Sequence, residues 1–222
     1  MTPLKEAEAL VDRMMGEVLG TVPALASSSA GVELRYLVGR ARAGTINAVR
    51  AGTLADLLVP CFTEAVAVGA TFNGMDRVRA LMQAETSDRA GVLAIARAGV
   101  RYALVAMVQI IARTTFVSRT DVDLHLDRML AGFDAAELEA ADELDAALYL
   151  ALIDMRAACT RDLVDRARPL PRMVTYATPG SMPALALANH LYGDGKRFIE
   201  LVQENSVAHP AFMPVTGRAI AE

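Results

Sequence analysis

Apolar residues recur at helical spacing through the first 170 positions, and the pattern changes style after Pro169. Leu10, Val11, Met14, Met15, Val18 and Leu19 form one broad stripe, which predicts a helix over residues 5–19. Residues 21–31 (TVPALASSSAG) read as a small-residue linker. Two shorter helices are expected over 32–43 and 45–58, followed by a glycine-containing loop near 69–74. Ser87 and Asp88 are N-cap candidates for a long helix reaching about Phe116, apolar on most sides and so expected at the centre of a bundle. Ser118 or Thr120 caps the next, whose face carries Leu126, Met129, Leu130 and Phe133. Asp134 with Glu137 three residues on has the form of a capping box, predicting a fresh start there and a helix to about Arg168. Acids lead that segment and Arg156, Arg161, Arg166 and Arg168 close it, an order that complements the helix dipole.

Pro169 and Pro171 end the helical style, and residues 173–177 (MVTYA) are a short β-favouring run. Pro179, Gly180 and Ser181 supply a turn and a cap. Two short helices are expected over 182–191 and 197–205, split by Gly193-Asp194-Gly195. Pro210 and Pro214 forbid helix afterwards, and Gly217 precedes a last extended piece over 218–221. The predicted architecture is mainly α: a multi-helix body over residues 1–170, then a small β-α-α-β module over 171–222.

Composition supports a folded chain and narrows its chemistry. Of 222 residues, 54% are apolar and 22% charged, which excludes a disordered tail or a fibrous repeat. Mean hydropathy of +0.31 raises the question of a membrane. The most apolar run, residues 102–112, is eleven long and bounded by Arg101 and Arg113, whereas a spanning helix needs about 20. The run 57–75 contains Pro60, Glu64, Gly69, Asn73 and Gly74, and the first ten residues carry acids where a signal peptide carries bases. No membrane span is expected, and the apolar excess is expected in a core or an assembly. Cys61 and Cys159 are the only thiols and lie far apart, against a disulfide framework or a cysteine-rich zinc site. A net charge of −4 argues against a protein that coats DNA.

Candidate chemistry is sparse. Gly195-Lys196 invites a phosphate-loop reading, but the earlier glycine such a loop needs falls on His190, and Arg197 stands where Ser or Thr binds magnesium. His125, His190 and His209 show no metal-ligand spacing. Asp121, Asp123, His125 and Asp127 are the best local group; on a helix Asp121 and His125 share one face while Asp123 and Asp127 share another, so the four do not converge. Ser27, Ser28 and Ser29 lack an adjacent base. Tyr36, Tyr102 and Tyr149 fall at apolar helical positions and are expected in the core. No catalytic, cofactor or metal residue is assigned, and no enzyme activity is expected.

The stretch from Asp145 to the end carries a resemblance. Leu163 to Leu170 followed by Pro171-Arg172, then Pro183-Ala184-Leu185, Leu191-Tyr192-Gly193-Asp194, Asn205 and the closing His209-Pro210-Ala211-Phe212-Met213-Pro214 resemble, in order and spacing, the C-terminal half of the DNA circularisation (N) proteins of Mu-like phages. The same tail is similar to a LysM-type module. In that pattern Tyr192, Gly193 and Asp194 form the turn after the first helix and Asn205 closes the second. Pro210, Phe212 and Pro214 fall in the loop that follows, and Gly217 precedes the last strand. Longer family members begin with a β-rich domain, whereas this chain starts in helices.

The resemblance implies a structural part of a contractile phage tail, in the baseplate near the hub, and a virion location after synthesis in the bacterial cytoplasm. Its partners would be other baseplate and tail proteins (hub, wedge, tail tube or tape-measure region), met in several symmetric copies. Two alternatives are a peptidoglycan-binding LysM protein and a DNA-binding circularisation factor. The second fits less well, because only Lys5 and Lys196 are lysines and no basic stripe is present.

Overall fold

The Thr2 hydroxyl accepts the Lys5 amide at 3.4 Å and Pro3 occupies the first turn, so α1 (Pro3–Gly20) begins where capping chemistry favours it. The structure is a computed structural model that describes residues 2–23 and 29–221. Ala7, Leu10, Val11, Met14, Met15 and Val18 form the buried stripe of α1. Three of its four acids are held by arginines from other segments: Glu6 by Arg89, Asp12 by Arg42 and Glu17 by Arg77, at 2.8–2.9 Å.

Two helices do occupy this stretch, but their bounds differ from the 32–43 and 45–58 expected: α2 (Ser29–Ala51) runs through the expected break and α3 (Leu54–Ala67) follows. Gly44 does not break α2. The Thr45 hydroxyl donates back to the Ala41 carbonyl at 2.7 Å, and Gly44 lies where Leu57 crosses, since a Cβ there would come within 2.9 Å of Leu57 Cδ1. The break falls at Gly52, whose φ of +73° suits glycine. The loop expected over 69–74 is also shorter. Thr71 caps α4 (Phe72–Gln83) by accepting the Gly74 amide at 3.1 Å, and Gly74 sits inside that helix against the Thr21 backbone.

The central helix, α5 (Ala90–Arg113), buries Val92, Ile95, Ala96, Val100, Ala103, Leu104, Met107 and Ile111. By length and composition it could cross a membrane, and half of its most apolar window is buried inside this protein. Gly99 gives room there, since a Cβ would come within 2.8 Å of the Met14 sulfur and Met82 Cγ and force the two methionines to repack.

Ser118 accepts the Asp121 amide at 3.2 Å at the start of α6 (Arg119–Asp142). The capping box read at Asp134 and Glu137 is not a helix start. Phe133, Ala136 and Ala140 continue the buried stripe, so α6 runs through. Asp134 and Glu137 instead hold Arg156 at 2.7 and 2.9 Å. The true break follows at Leu144 (φ 57°), and Asp145 accepts the Leu148 amide at 3.0 Å to open α7 (Ala146–Ala167).

The chain divides into two compact units, Met1–Thr114 with Asp127–Thr160, and Thr115–Leu126 with Arg161–Glu222. The second contains the sheet. In it β1 (Met173–Ala177) pairs antiparallel with β2 (Thr216–Ile220), Met173 opposite Ile220 and Ala177 opposite Thr216. Between the strands run α8 (Ala184–Tyr192), a 3-10 turn (Gly195–Arg197) and α9 (Phe198–Glu204). Tyr176, Ala184, Leu187, Ala188, Leu201, Met213 and Ala219 form the core of this module. The start of α6 belongs to the same unit, where the Arg119 amide donates to the Pro171 carbonyl at 2.8 Å. The chain is thus a mainly α body followed by a β-α-α-β module.

Candidate functional site

Of the module residues singled out in the sequence, Tyr192, Asn205 and Gly217 meet at the outer edge of β2, and the others shape the turns and the proline loop. Gly193 ends α8 in the left-handed conformation, φ +67°, and its amide donates to the Asn189 carbonyl at 3.0 Å. The Asp194 carboxylate accepts the Lys196 amide at 2.9 Å, which turns Gly195-Lys196 into the 3-10 lead of α9 rather than a phosphate cradle. Asn205 closes α9. Its Nδ2 donates to the Leu201 and Arg218 carbonyls and its Oδ1 accepts the Arg218 amide, all at 2.8 Å. The Tyr192 hydroxyl accepts the Ile220 amide at 3.0 Å, and the Arg197 guanidinium lies 3.9 Å from the Tyr192 ring centre while pairing with Glu200 at 2.9 Å. Burial pushes the Tyr192 hydroxyl above the usual tyrosine range, and the Ile220 amide and Arg197 pull it back in part.

Gly217 is held to glycine by this cluster. A Cβ there would overlap Asn205 Oδ1 and lie 2.6 Å from the Tyr176 hydroxyl. The proline loop is tied down through its backbone: the Pro210 carbonyl takes the Ala184 amide at 2.7 Å and the Pro214 carbonyl takes the Tyr176 hydroxyl at 3.3 Å. Met213 is buried, and its carbonyl accepts the Ser181 hydroxyl at 2.8 Å. Phe212 is 71% exposed, its ring 5.6 Å from that of His209. The polar groups of Tyr192, Asp194 and Asn205 therefore bind within the module. Leu185, Ile199, Phe212 and Val215 face solvent. Such a surface can make contacts. Sequence reading missed Tyr176 and Arg218, and it took Ser181 for a cap, whereas its hydroxyl ties the turn to Met213. For Tyr176 the signal was available, as an alternating position in MVTYA.

The other sequence candidates are accounted for separately. Asp121 pairs with Arg218 at 3.4 Å, and its carbonyl lies 2.7 Å from His125 Nδ1, while the His125 ring packs edge-on against Phe116. Asp123 and Asp127 are exposed. Among the described residues no group of three or more His, Cys, Asp or Glu is placed to hold a metal ion. Ser27 and Ser28 lie outside the described residues.

The expectation of three core tyrosines fails for two of them. Tyr36 and Tyr149 are exposed, Tyr36 beside the Arg40 guanidinium at 5.7 Å. Only Tyr102 is half-buried, its ring 5.7 Å from that of Phe62. A phenol needs a partner or water for its hydroxyl, so a tyrosine beside an apolar stripe settles at the rim. Tyr102 also lines an apolar groove of about 280 Å³ with Ala48, Leu54, Leu58, Ile95 and Ala98.

No protein-family model matches this chain, and no curated protein matches it either.

Proposed function

We propose that the chain is a structural component of a contractile, Mu-like phage tail, sited in the baseplate near the hub and working through protein–protein contacts during assembly. The observation that carries this reading is the β-α-α-β module, in which Tyr192, Gly193, Asp194, Asn205 and Gly217 all serve the fold while Leu185, Ile199, Phe212 and Val215 stay exposed among polar neighbours. A module of that kind holds a shape for a partner rather than performing a reaction. The helical body supports the same reading with exposed Val32 and Tyr36 and with the groove at Leu54. In this account the body packs against neighbouring tail proteins and the module clips onto another subunit, in copies related by the symmetry of the tail.

Complementation of a tail-assembly defect tests the proposal. Leu54→Asp places a charge in the groove and should block assembly while the purified chain keeps its helical signal. Normal tails from the Leu54→Asp chain would count against a contact there, and normal tails with the chain deleted would count against the whole reading.

A further inference from the structure

We propose that the outer edge of β1 pairs with the same edge of a second copy of this chain. The strand ladder fixes which groups are free. The Ala221 amide donates to the Arg172 carbonyl at 2.6 Å and the Thr178 amide to the Val215 carbonyl at 2.7 Å, in phase with the register of the pair. Val174 with Ala219 and Tyr176 with Gly217 are therefore the hydrogen-bonded pairs, and the amides and carbonyls of residues 173, 175, 177, 218 and 220 point outward.

The two edges are treated differently. On β2, Asn205 satisfies both the amide and the carbonyl of Arg218, and Tyr192 takes the Ile220 amide, so two side chains stand where a third strand would bind. On β1, the start of α6 covers only one end: Arg119 bonds the Pro171 carbonyl, and the Thr120 hydroxyl accepts the Met173 amide at 3.4 Å. Thr175 and Ala177 are exposed, and their outward groups have no hydrogen-bond partner among the described residues. Sheet edges are normally protected by a lysine, a proline or an inward charge, and MVTYA contains none.

A second copy fits those rungs by symmetry. In an antiparallel two-fold pairing centred on Tyr176, Thr175 faces the partner's Ala177 and Ala177 faces the partner's Thr175, which satisfies the outward amides and carbonyls of both residues on both strands and leaves only the Met173 carbonyl to water. The same register brings the partner's Pro179 beside Met173, the rung that Thr120 already holds; proline has no amide to leave unpaired there. The strand is uncharged and Arg218, across the sheet from Thr175, is paired with Asp121, so like charges do not oppose the contact. The contact is short, which makes it a weak, concentration-dependent pairing that multiple copies would reinforce. It does not depend on the tail assignment.

Amide hydrogen exchange by NMR, run on the full chain from about 10 μM to about 1 mM beside sedimentation velocity, tests it. The Thr175 and Ala177 amides should exchange at least about tenfold more slowly at the high concentration, in step with dimer formation. Thr175→Pro removes an outward N–H without touching the β1–β2 ladder, and Ala177→Lys adds a charge at the edge; both should abolish the protection and the dimer. Exchange at these two amides that ignores concentration overturns the inference, even if the chain associates through another surface. So does a folded Ala177→Lys chain that dimerises with Thr175 still protected.

Discussion

Asn205 holds Arg218 as a neighbouring strand would, donating to its carbonyl and accepting its amide at 2.8 Å on both sides. One carboxamide thereby ties the end of α9 to β2 across thirteen residues, and its second Nδ2 bond reaches the Leu201 carbonyl within the helix. Asn205→Ala should destabilise the chain by about 1 kcal/mol, the usual net worth of a hydrogen bond where water can reach the groups left behind. Urea unfolding followed by circular dichroism measures it; a change under about 0.5 kcal/mol would show that water replaces the amide at no cost.

Gly217 meets the same carboxamide from the other side. Gly217→Ala must push a methyl into Asn205 Oδ1 and the Tyr176 hydroxyl, both fixed by their own hydrogen bonds. The expected loss is about 1–3 kcal/mol, with broadened signals for Tyr176 and Arg218. A fully stable Gly217→Ala chain would contradict the close approach.

These contacts show where sequence reading succeeds and where it stops. Residues 173–177 were legible as a strand, and Gly193 and Asp194 as a turn and a cap, because each choice depends on neighbours within a few positions. Asp134 and Glu137 mimic a capping box, yet burying Ala136 and Ala140 outweighs the cap, and the two acids turn to Arg156 instead. Gly44 looked like a break because its reason for being glycine, the crossing of Leu57, lies in another helix. The grip of Asn205 on β2 is likewise a long-range fact: the local pattern marks a helix end and says nothing of its partner.

Two carboxylates at the end of α6, Glu139 within it and Glu143 just past it, have their pKa values shifted in opposite directions. Burial pushes the Glu139 carboxyl up, Arg97 and Arg101 offset this only in part, and one of its oxygens is buried with no hydrogen-bond donor. Burial also pushes Glu143 up, but hydrogen bonds and charge from Arg101 (2.5 Å) and Arg97 (2.9 Å) outweigh it and hold the group below the ordinary range. The ionised form of Glu139 therefore costs stability as pH rises above the ordinary carboxylate range, whereas Glu143 contributes stability that is lost as pH falls through its lowered pKa. At pH 7 Glu139→Gln should raise the melting temperature and Glu143→Gln should lower it. Both differences should shrink as pH falls and each group takes up its proton, Glu139 first; effects independent of pH would contradict the assignment.

Burial pushes the Cys61 thiol up to about 11, which the Arg40 charge and a backbone hydrogen bond offset only in part. The thiolate is the reactive form, so Cys61 should resist thiol reagents at pH 8 in the folded chain. Cys159 is buried as well. Titration with a chromogenic disulfide should find neither thiol until denaturant is added; rapid labelling of Cys61 under native conditions would mean that α3 opens readily.

The central claim is that this chain is a built-in part of a phage tail, and electron cryomicroscopy of tail particles from the strain that encodes it tests that most directly. The account predicts baseplate density into which the helical body and the β-α-α-β module each fit, with Leu54 and the exposed face of the module against neighbouring proteins. Tail particles complete in every position but lacking this chain, by map and by mass spectrometry, would contradict it.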